Sequence, residues 1–226
     1  MTNRNSLRSE PTKSVIERLY EAARQDRFRF LKLLPRLVMG FIQRKTFSQS
    51  LTPESMKDCY IPVSREQGEF LYVTARALGA KNVVEFGTSF GISTIYLASA
   101  VRDNGSGIVI GSEIETSKCT QASRNIDEAG LSKFAEVRVG DALETLRKVP
   151  EPVDLILLDG WKDLYLPVIK LLQPRLKTGS VILADNIFTF RKGLRPYVEY
   201  MQSGENRFIS TTIPLGEGFE YSVYIG

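Results

Sequence analysis

The sequence contains no histidine, and its 226 residues include only two cysteines and one tryptophan. The missing histidine excludes serine–histidine hydrolysis, histidine acid–base chemistry and most zinc sites, because each of these needs an imidazole. Proton transfer is left to Lys, Asp, Glu and Tyr. Cys59 and Cys119 lack the paired spacing of metal ligands, so we expect reduced thiols in a cytoplasmic protein.

The sequence also lacks a long uninterrupted hydrophobic run. Its most apolar early stretch, residues 28–42, is broken by a proline and three basic residues, and it is therefore too short and too charged to span a bilayer. Residues 1–12 are polar, and the apolar stretch that follows shows no small-residue cleavage pattern, which argues against a secretory signal. We expect no transmembrane segment.

Acidic residues are scarce at the N-terminus. Residues 1–50 hold eleven Lys or Arg against four acids, a net charge of +7, whereas the whole chain carries +4. We predict a basic helical extension over residues 1–50, with helices from Ser14 and over residues 28–47, and a single domain over residues 51–226. Two interpretations stay open for the extension: a cap, lid or dimer contact, or a basic surface for an anionic substrate such as nucleic acid, an acyl thioester or lipid.

Two apolar runs in the second half of the chain each stop at polar side chains. Residues 153–158 run into Asp159, and residues 181–184 run into Asp185 and Asn186. Both runs are typical of buried parallel strands, and the segment between them has the length of a crossover helix. Ligands of open α/β sheets bind beyond the carboxyl ends of the strands. An all-oxygen group there predicts a hard cation, Mg²⁺, or Mn²⁺ or Ca²⁺ by substitution.

A strand, a glycine turn and a helix follow one another from residue 82. The strand over residues 82–86 leads through Gly87 and Gly91 into an apolar helix over residues 94–101. This order is typical of a nucleotide-type cofactor site, since glycines allow close backbone approach and a helix start offers free N–H groups. The turn lacks G-x-G-x-x-G, which disfavours a nicotinamide dinucleotide and favours a single nucleoside-like ligand.

The next two predicted strands end in acids as well. Glu113 follows residues 108–112 and is placed to accept hydrogen bonds from two ribose hydroxyls. Asp141 and Ala142 follow residues 135–139, where an adenine edge would lie. Downstream, residues 208–214 and 219–225 predict a hairpin around a glycine-rich turn. We therefore predict an α/β fold, a Rossmann-like doubly wound mixed sheet of about seven strands with N-terminal helices and an antiparallel C-terminal hairpin.

Five short motifs together resemble a known family. They are VVEFGTSFGIS, GSEIE, GDALETL, LLDGWKDLY and LADN, in that order along the chain. From Pro62 to the C-terminus, the sequence resembles the class I S-adenosylmethionine-dependent O-methyltransferases of the cation-dependent catechol and caffeoyl-CoA type. The resemblance implies S-adenosylmethionine as the methyl donor, a divalent metal, and methylation of a hydroxyl on a small aromatic vicinal diol.

The same resemblance assigns roles to individual residues. It implies that Lys162 is the catalytic base, for which the alternative is a surface ion pair with Asp163. The implied metal ligands are Asp159, Asp185 and Asn186. The implied cofactor contacts are Val63, Glu85, Gly87 and Ser93 at the methionine end, Glu113 at the ribose, and Asp141, Ala142 and Trp161 on the adenine side, with Trp161 also near the sulfonium.

The sequence departs from the catechol branch at one place. Residues 210–213 hold no acid where that branch supplies one to the second hydroxyl, so Glu217 or Glu220 would have to serve. Two other functions stay open: methylation of a tRNA hydroxyl by an enzyme of the same family, which the basic N-terminus would suit, and a non-catalytic Rossmann-like nucleoside-binding protein. We also predict a homodimer formed through the N-terminal region or the C-terminal hairpin.

Overall fold

The computed structural model describes residues 5–25, 38, 39, 43, 55, 59, 60 and 62–226. The predicted second helix of the extension, residues 28–47, thus falls almost entirely outside the described residues, and the domain boundary near residue 50 stays a prediction. Among the described residues, no helix combines the length and the apolar character needed to cross a membrane.

Seven strands form a single mixed sheet in the order β3-β2-β1-β4-β5-β7-β6. The first five strands are parallel, and β7 pairs antiparallel with both β5 and β6. The predicted fold class is confirmed. The strands are β1 (Asn82–Phe86), β2 (Ile108–Glu113), β3 (Ala135–Val139), β4 (Val153–Leu158), β5 (Leu176–Ala184), β6 (Phe208–Ile213) and β7 (Phe219–Tyr224).

Helices connect the parallel strands and cover both faces of the sheet. Those of the described residues are α1 (Thr12–Gln25), α2 (Arg65–Ala77), α3 (Ile92–Asp103), α4 (Thr116–Glu128), α5 (Ala142–Thr145), α6 (Tyr165–Leu172) and α7 (Arg191–Gln202), with short 3₁₀ turns at Ser6–Arg8, Lys162–Leu164 and Gln173–Arg175.

Neighbouring residues of each central strand point to opposite faces, and both faces are buried. Val83 and Leu155 pack into the core on the side of α1 to α4, whereas Val84 and Ile156 pack into the core on the side of α5 to α7. This two-sided burial explains why the strand sequences are continuous apolar runs rather than alternating ones.

The strand order reverses between β1 and β4, which opens a crevice at their carboxyl ends. The two chain segments that leave these strands touch there. Gly87, at φ +99°, lies so close to the segment after β4 that a Cβ atom on it would stand 2.5 Å from the backbone nitrogen of Gly160. Glycine is required at this position by both the backbone conformation and the contact.

The described part of the N-terminal extension packs onto the sheet domain. The hydroxyl of Thr12 donates to the carbonyl of Ala129 at 3.1 Å, and the hydroxyl of Tyr20 donates to the carbonyl of Val63 at 3.1 Å. Helix α1 therefore supports Val63, which is one of the predicted cofactor contacts.

Candidate active site

A cleft of about 400 Å³ opens at the carboxyl ends of β1 to β4. It brings together most of the predicted site residues, although they come from five separate loops. Those that line it are Gly87, Glu113, Asp141, Ala142, Asp159, Trp161, Lys162 and Asn186. A smaller cavity shares Gly87 and Asp159 with the cleft and is also lined by Val63 and Ser93, at the predicted methionine end.

Glu85 lies beneath the glycine loop and lines neither cavity. Its side chain has no solvent exposure, and Oε2 accepts the hydroxyls of Thr88 at 2.8 Å and Thr94 at 2.5 Å. Oε1 has no hydrogen-bond partner among the described residues. Burial raises the pKa of this carboxyl, although nearby hydroxyls, including that of Ser93, lower it. Glu85 thus holds the loop in shape from its buried side.

Glu113 is fixed by backbone donors at the end of β2. Oε2 accepts the N–H of Ser89 at 2.7 Å, and Oε1 accepts the N–H of Glu115 at 2.9 Å. Since a carboxylate oxygen can accept more than one hydrogen bond, each oxygen keeps capacity for a ligand hydroxyl. The contact also joins the end of β2 to the glycine loop that follows β1.

Asp141 starts helix α5. Its side chain accepts the N–H of Leu143 at 2.9 Å, which is a conventional N-cap. Ala142 is buried immediately behind it. The acid therefore has a structural role as a cap in addition to its place on the wall of the cleft.

The ammonium of Lys162 contacts three oxygen atoms just beyond the carboxyl end of β4. Its Nζ donates to Asn186 Oδ1 at 2.6 Å, to the hydroxyl of Tyr165 at 2.8 Å and to Asp159 Oδ1 at 3.4 Å. The side chain is only 11% exposed. Because the ion pair is with Asp159 inside the cleft, the alternative of a surface ion pair with Asp163 is wrong.

Burial dominates the electrostatics of this group. It lowers the pKa of Lys162, against the opposing effect of Asp159 and Asp185, and it raises the pKa of Asp159, against the effect of Lys162. Burial, followed by repulsion from Asp159, raises the pKa of Asp185 to about 7. Burial and mutual repulsion disfavour the ionised forms of these two carboxylates, and a cation bound between them would stabilise the ionised forms.

Asp185 and Asn186 form a tight backbone turn at the end of β5. Asn186 has φ +68°, a left-handed conformation that asparagine tolerates better than most residues. The Asn186 N–H donates to Asp185 Oδ1 at 2.6 Å, and the side chain of Gln67 donates to the same oxygen at 2.9 Å. Asp185 is 3% exposed and does not line the cleft itself.

The oxygen atoms of Asp159 and Asn186 converge on one cationic centre, the ammonium of Lys162. Nowhere in the described residues do three or more His, Cys, Asp or Glu side chains cluster in a way that could hold a metal ion. The predicted ligands contain two carboxylates and one amide, a set that suits Mg²⁺ or Mn²⁺. The chemistry of these donors and their crowding of negative charge fit a hard cation.

The comparison with protein families addresses the part of the chain that carries this cleft. A family model described as a methyltransferase domain matches residues 84–187. Residues 84–187 are thus similar in sequence to a methyltransferase domain. They run from β1 through the glycine loop and on to the predicted ligands Asp159, Asp185 and Asn186.

Individual proteins that resemble this chain are O-methyltransferases. A catechol O-methyltransferase of Niastella koreensis is 36% identical over 131 residues, which cover 56% of this chain and 58% of that protein. The caffeoyl-CoA O-methyltransferase 3 of Nicotiana tabacum is 28% identical over 69% of this chain and 73% of its own. An O-methyltransferase structure from Bacillus cereus, in complex with SAH, aligns with a TM-score of 0.67 at 26% identity and covers 85% of this chain and 90% of its own. The chain thus spans less than two thirds of the length of the catechol O-methyltransferase relative.

Four residues around the cleft were assigned no role in the site from the sequence. Gln67 and Tyr165 contact predicted metal ligands, while Tyr60 stacks on Phe90 with ring centroids 3.7 Å apart beside the smaller cavity. Ser64 and Gln67 do show the S-x-x-Q pattern of a capping box, and Tyr165 lies one helical turn after Lys162. The contact of Gln67 with the end of β5 had no local signal.

The two replacement acids predicted for the acceptor end behave differently. Glu217 lines the methyltransferase cleft and accepts the hydroxyl of Thr189. Glu220 is completely buried on β7 and accepts hydrogen bonds from Gln202 at 2.7 Å and Thr212 at 2.6 Å. Of the two, Glu217 alone is placed to meet a ligand in the cleft.

Proposed function

We propose that this protein is an S-adenosylmethionine-dependent and divalent-metal-dependent O-methyltransferase that acts on a hydroxyl of a small aromatic vicinal diol. The convergence of Asp159, Asn186 and Lys162 at the cleft of a methyltransferase domain supports this proposal most strongly. It puts oxygen ligands for a cation and a candidate base at the same end of the cleft.

The other end of the cleft suits the methyl donor. Glu113 would accept the ribose hydroxyls, and Asp141, Ala142 and Trp161 would line the adenine side. Val63, Gly87 and Ser93 would surround the methionine end, and Glu85 would support the glycine loop from beneath. Bound S-adenosylmethionine supplies a methyl group on an already activated carbon, so the protein has to orient the acceptor oxygen and remove its proton.

Asp159, Asp185 and Asn186 would hold the metal, and Mg²⁺ is the cation that this oxygen set favours. A bound divalent cation stabilises the deprotonated form of a hydroxyl next to it. Such help matters for a phenol, because its pKa near 10 leaves it mostly protonated at neutral pH.

Lys162 would accept the proton of the acceptor hydroxyl through Nζ. Its burial lowers its pKa, which favours the neutral amine that a base requires. Asn186 and Tyr165 aim Nζ by their hydrogen bonds. In a chain without histidine, Lys162 is the base that the cleft provides.

The walls of the cleft would suit a flat apolar acceptor with polar substituents. Trp161, Leu164 and Phe190 contribute apolar surface beside Lys162, and Glu217 adds a carboxylate on the same side. Glu217 would accept a hydrogen bond from the second hydroxyl of a vicinal diol, in place of the acid that is missing from residues 210–213.

A methyl-transfer screen with labelled cofactor tests this proposal. Catechols and hydroxycinnamoyl thioesters would be offered with Mg²⁺ and with a chelator, to the wild type and to Asp159→Ala. We expect transfer to a vicinal diol that the chelator abolishes and that Asp159→Ala reduces at least about a hundredfold. Unchanged turnover by Asp159→Ala on an identified substrate would refute the metal assignment.

A further inference from the structure

We infer that Gln67 is a positioning residue for Asp185, so that it sets the affinity of the site for its divalent cation; this inference rests on the proposed function. Gln67 lies on the first turn of α2, 118 positions away from Asp185 in the sequence, and it is 4% exposed. Its Nε2 donates to Asp185 Oδ1 at 2.9 Å.

The orientation of the Gln67 amide is fixed by the start of its own helix. Oε1 accepts the N–H of Ser64 at 2.8 Å, and the N–H of Gln67 donates to the hydroxyl of Ser64 at 3.2 Å. These two bonds form a complete capping box. Since the capping box uses the oxygen side of the amide, the NH₂ side faces Asp185.

The turn before β7 also packs against the Gln67 amide. Gly216, in the turn before β7, approaches it so closely that a Cβ atom on Gly216 would lie 2.6 Å from Gln67 Cδ. The turn, which also carries Glu217, therefore limits the space in which the Gln67 side chain can move.

The consequence for Asp185 is a carboxylate whose two oxygens have different roles. Oδ1 accepts both Gln67 Nε2 and the N–H of Asn186. No hydrogen-bond donor of the described residues contacts Oδ2, so that oxygen is left for a cation. A neutral amide orients the carboxylate without cancelling its charge, whereas a lysine or arginine at this position would compete with the metal.

The experiment is a titration of Mn²⁺ followed by electron paramagnetic resonance, with the protein saturated with S-adenosylhomocysteine. Gln67→Met keeps the length of the side chain but loses the donor, and Gln67→Asn keeps the amide but is too short to reach. We expect both variants to bind Mn²⁺ about 10- to 100-fold more weakly than the wild type.

Two matched controls separate positioning from folding. Ser64→Ala removes the hydroxyl half of the capping box and leaves the bond from Gln67 to Asp185 in place. Gln202→Met removes a glutamine that donates to the buried carboxylate of Glu220 at 2.7 Å, outside the cleft. Both controls are expected to lower Tm and to bind Mn²⁺ with the wild-type affinity.

The possible outcomes distinguish failure of the Gln67 inference from failure of the proposed metal-dependent function. A wild type that does not bind Mn²⁺ would defeat the metal-dependent function itself. If the wild type binds Mn²⁺ and the Gln67 variants bind it with the same affinity, the role of Gln67 is overturned and the proposed function stands. The same holds if Ser64→Ala loses as much Mn²⁺ affinity as the Gln67 variants. If Gln67→Met fails to fold, Gln67→Asn decides.

Discussion

Lys162 shows how the meaning of a single residue depends on what surrounds it. In the sequence it is one charge in a polar loop next to Asp163. In the structure, the 3₁₀ turn Lys162–Leu164 returns its side chain toward the ends of β4 and β5, where it meets Asp159 and Asn186. Charge interactions are stronger in such a buried site than at the surface.

Replacement of Lys162 by methionine is expected to lower kcat by about 10²- to 10⁴-fold, the usual contribution of a positioned acid or base. The Km for S-adenosylmethionine should stay near the wild-type value, because Lys162 lies at the acceptor end of the cleft. Steady-state kinetics on the diol found in the screen measures both. Lys170→Met is the matched control, since Lys170 on α6 packs over the ring of Tyr200 on α7 and does not line the cleft. A Lys162→Met enzyme with wild-type kcat would contradict the base assignment.

The residues that the sequence could reveal are those that follow strands. Glu113 is the last residue of its strand, Asp159 and Asp185 directly follow theirs, and Asp141 follows after one glycine. The geometry of a parallel sheet brings such positions to one edge. The family resemblance alone places Glu85 among the cofactor contacts, and in the structure its side chain lies under the glycine loop and lines neither cavity. Gln67 was out of reach because its contact with Asp185 depends on tertiary packing alone.

At the level of elements, the predicted strand bounds are accurate where turn residues and an apolar run mark both ends of a strand. The predicted bounds of β1, β3 and β4 agree with the structure, because turn residues delimit each run. Strand β5 begins at Leu176 rather than at residue 181, since its first half is mostly exposed and lacks an apolar signal. Leu176 nevertheless pairs with Val153, across a register irregularity.

The contact between the loops after β1 and β4 predicts a difference between two glycine variants. Gly87 at φ +99° and Gly105 at φ +95° share a left-handed backbone, but an added Cβ meets Gly160 at 2.5 Å in the first case and nothing within 4 Å in the second. Gly105→Ala should cost about 1–2 kcal/mol of stability for the backbone alone and keep S-adenosylhomocysteine binding. Gly87→Ala should cost more and lose that binding.

Calorimetric titration of S-adenosylhomocysteine and urea unfolding of both variants measure these effects. Equal losses of stability with binding retained in both would show that the close approach of Gly87 and Gly160 does not shape the cofactor site.

Asp154 joins three elements at the opposite, amino-terminal edge of the sheet. Its Oδ2 accepts the N–H groups of Lys81 at 2.7 Å and Asn82 at 2.9 Å, and its Oδ1 pairs with the ammonium of Lys177 at 2.5 Å. Burial alone would raise the pKa of Asp154, but Lys177 and the two backbone donors lower it below the ordinary value.

A lowered folded-state pKa means that this stabilisation is fully present above the unfolded pKa of about 3.9 and is lost as the pH falls through the folded value. Asp154→Asn should be about 1–3 kcal/mol less stable at pH 7, and the difference should shrink below about pH 4. Urea unfolding from pH 2 to pH 7 measures it, with the exposed Asp163→Asn as the control. A pH-independent difference would exclude the ionic contribution.

At the scale of the whole molecule, hydrogen bonds connect the described part of the N-terminal extension to the cofactor half of the cleft. Helix α1 contributes Arg18, whose guanidinium donates to Asn125 Oδ1 at 3.1 Å, and Asn125 donates to the carbonyl of Phe90 in the glycine loop at 2.9 Å. The sequence could not show this, because the two contacts join residues that are 107 and 35 positions apart. The tRNA substrate rests on the basic residues 1–50, which are described only in part, and the homodimer rests on that region or on the C-terminal hairpin; both stay predictions.

Ligand-dependent stability of the intact protein separates the methyltransferase from a dehydrogenase. A ligand that binds only the folded state stabilises it by RT ln(1 + [L]/Kd), about 2.7 kcal/mol at a hundred times Kd. For a chain of this size each kcal/mol raises Tm by about 2–4 °C, so saturating S-adenosylhomocysteine should raise Tm by roughly 5–10 °C.

NADH should leave Tm unchanged in the same assay. The glycine loop lacks the spacing that brings two backbone segments against a pyrophosphate, and its helix begins at Gly91 with φ +87° rather than at a third closely spaced glycine. Differential scanning fluorimetry with each ligand gives the comparison directly. Stabilisation by NADH alone would contradict the assignment of Glu113 and Asp141 to a single nucleoside, and with it the cofactor half of the proposed site.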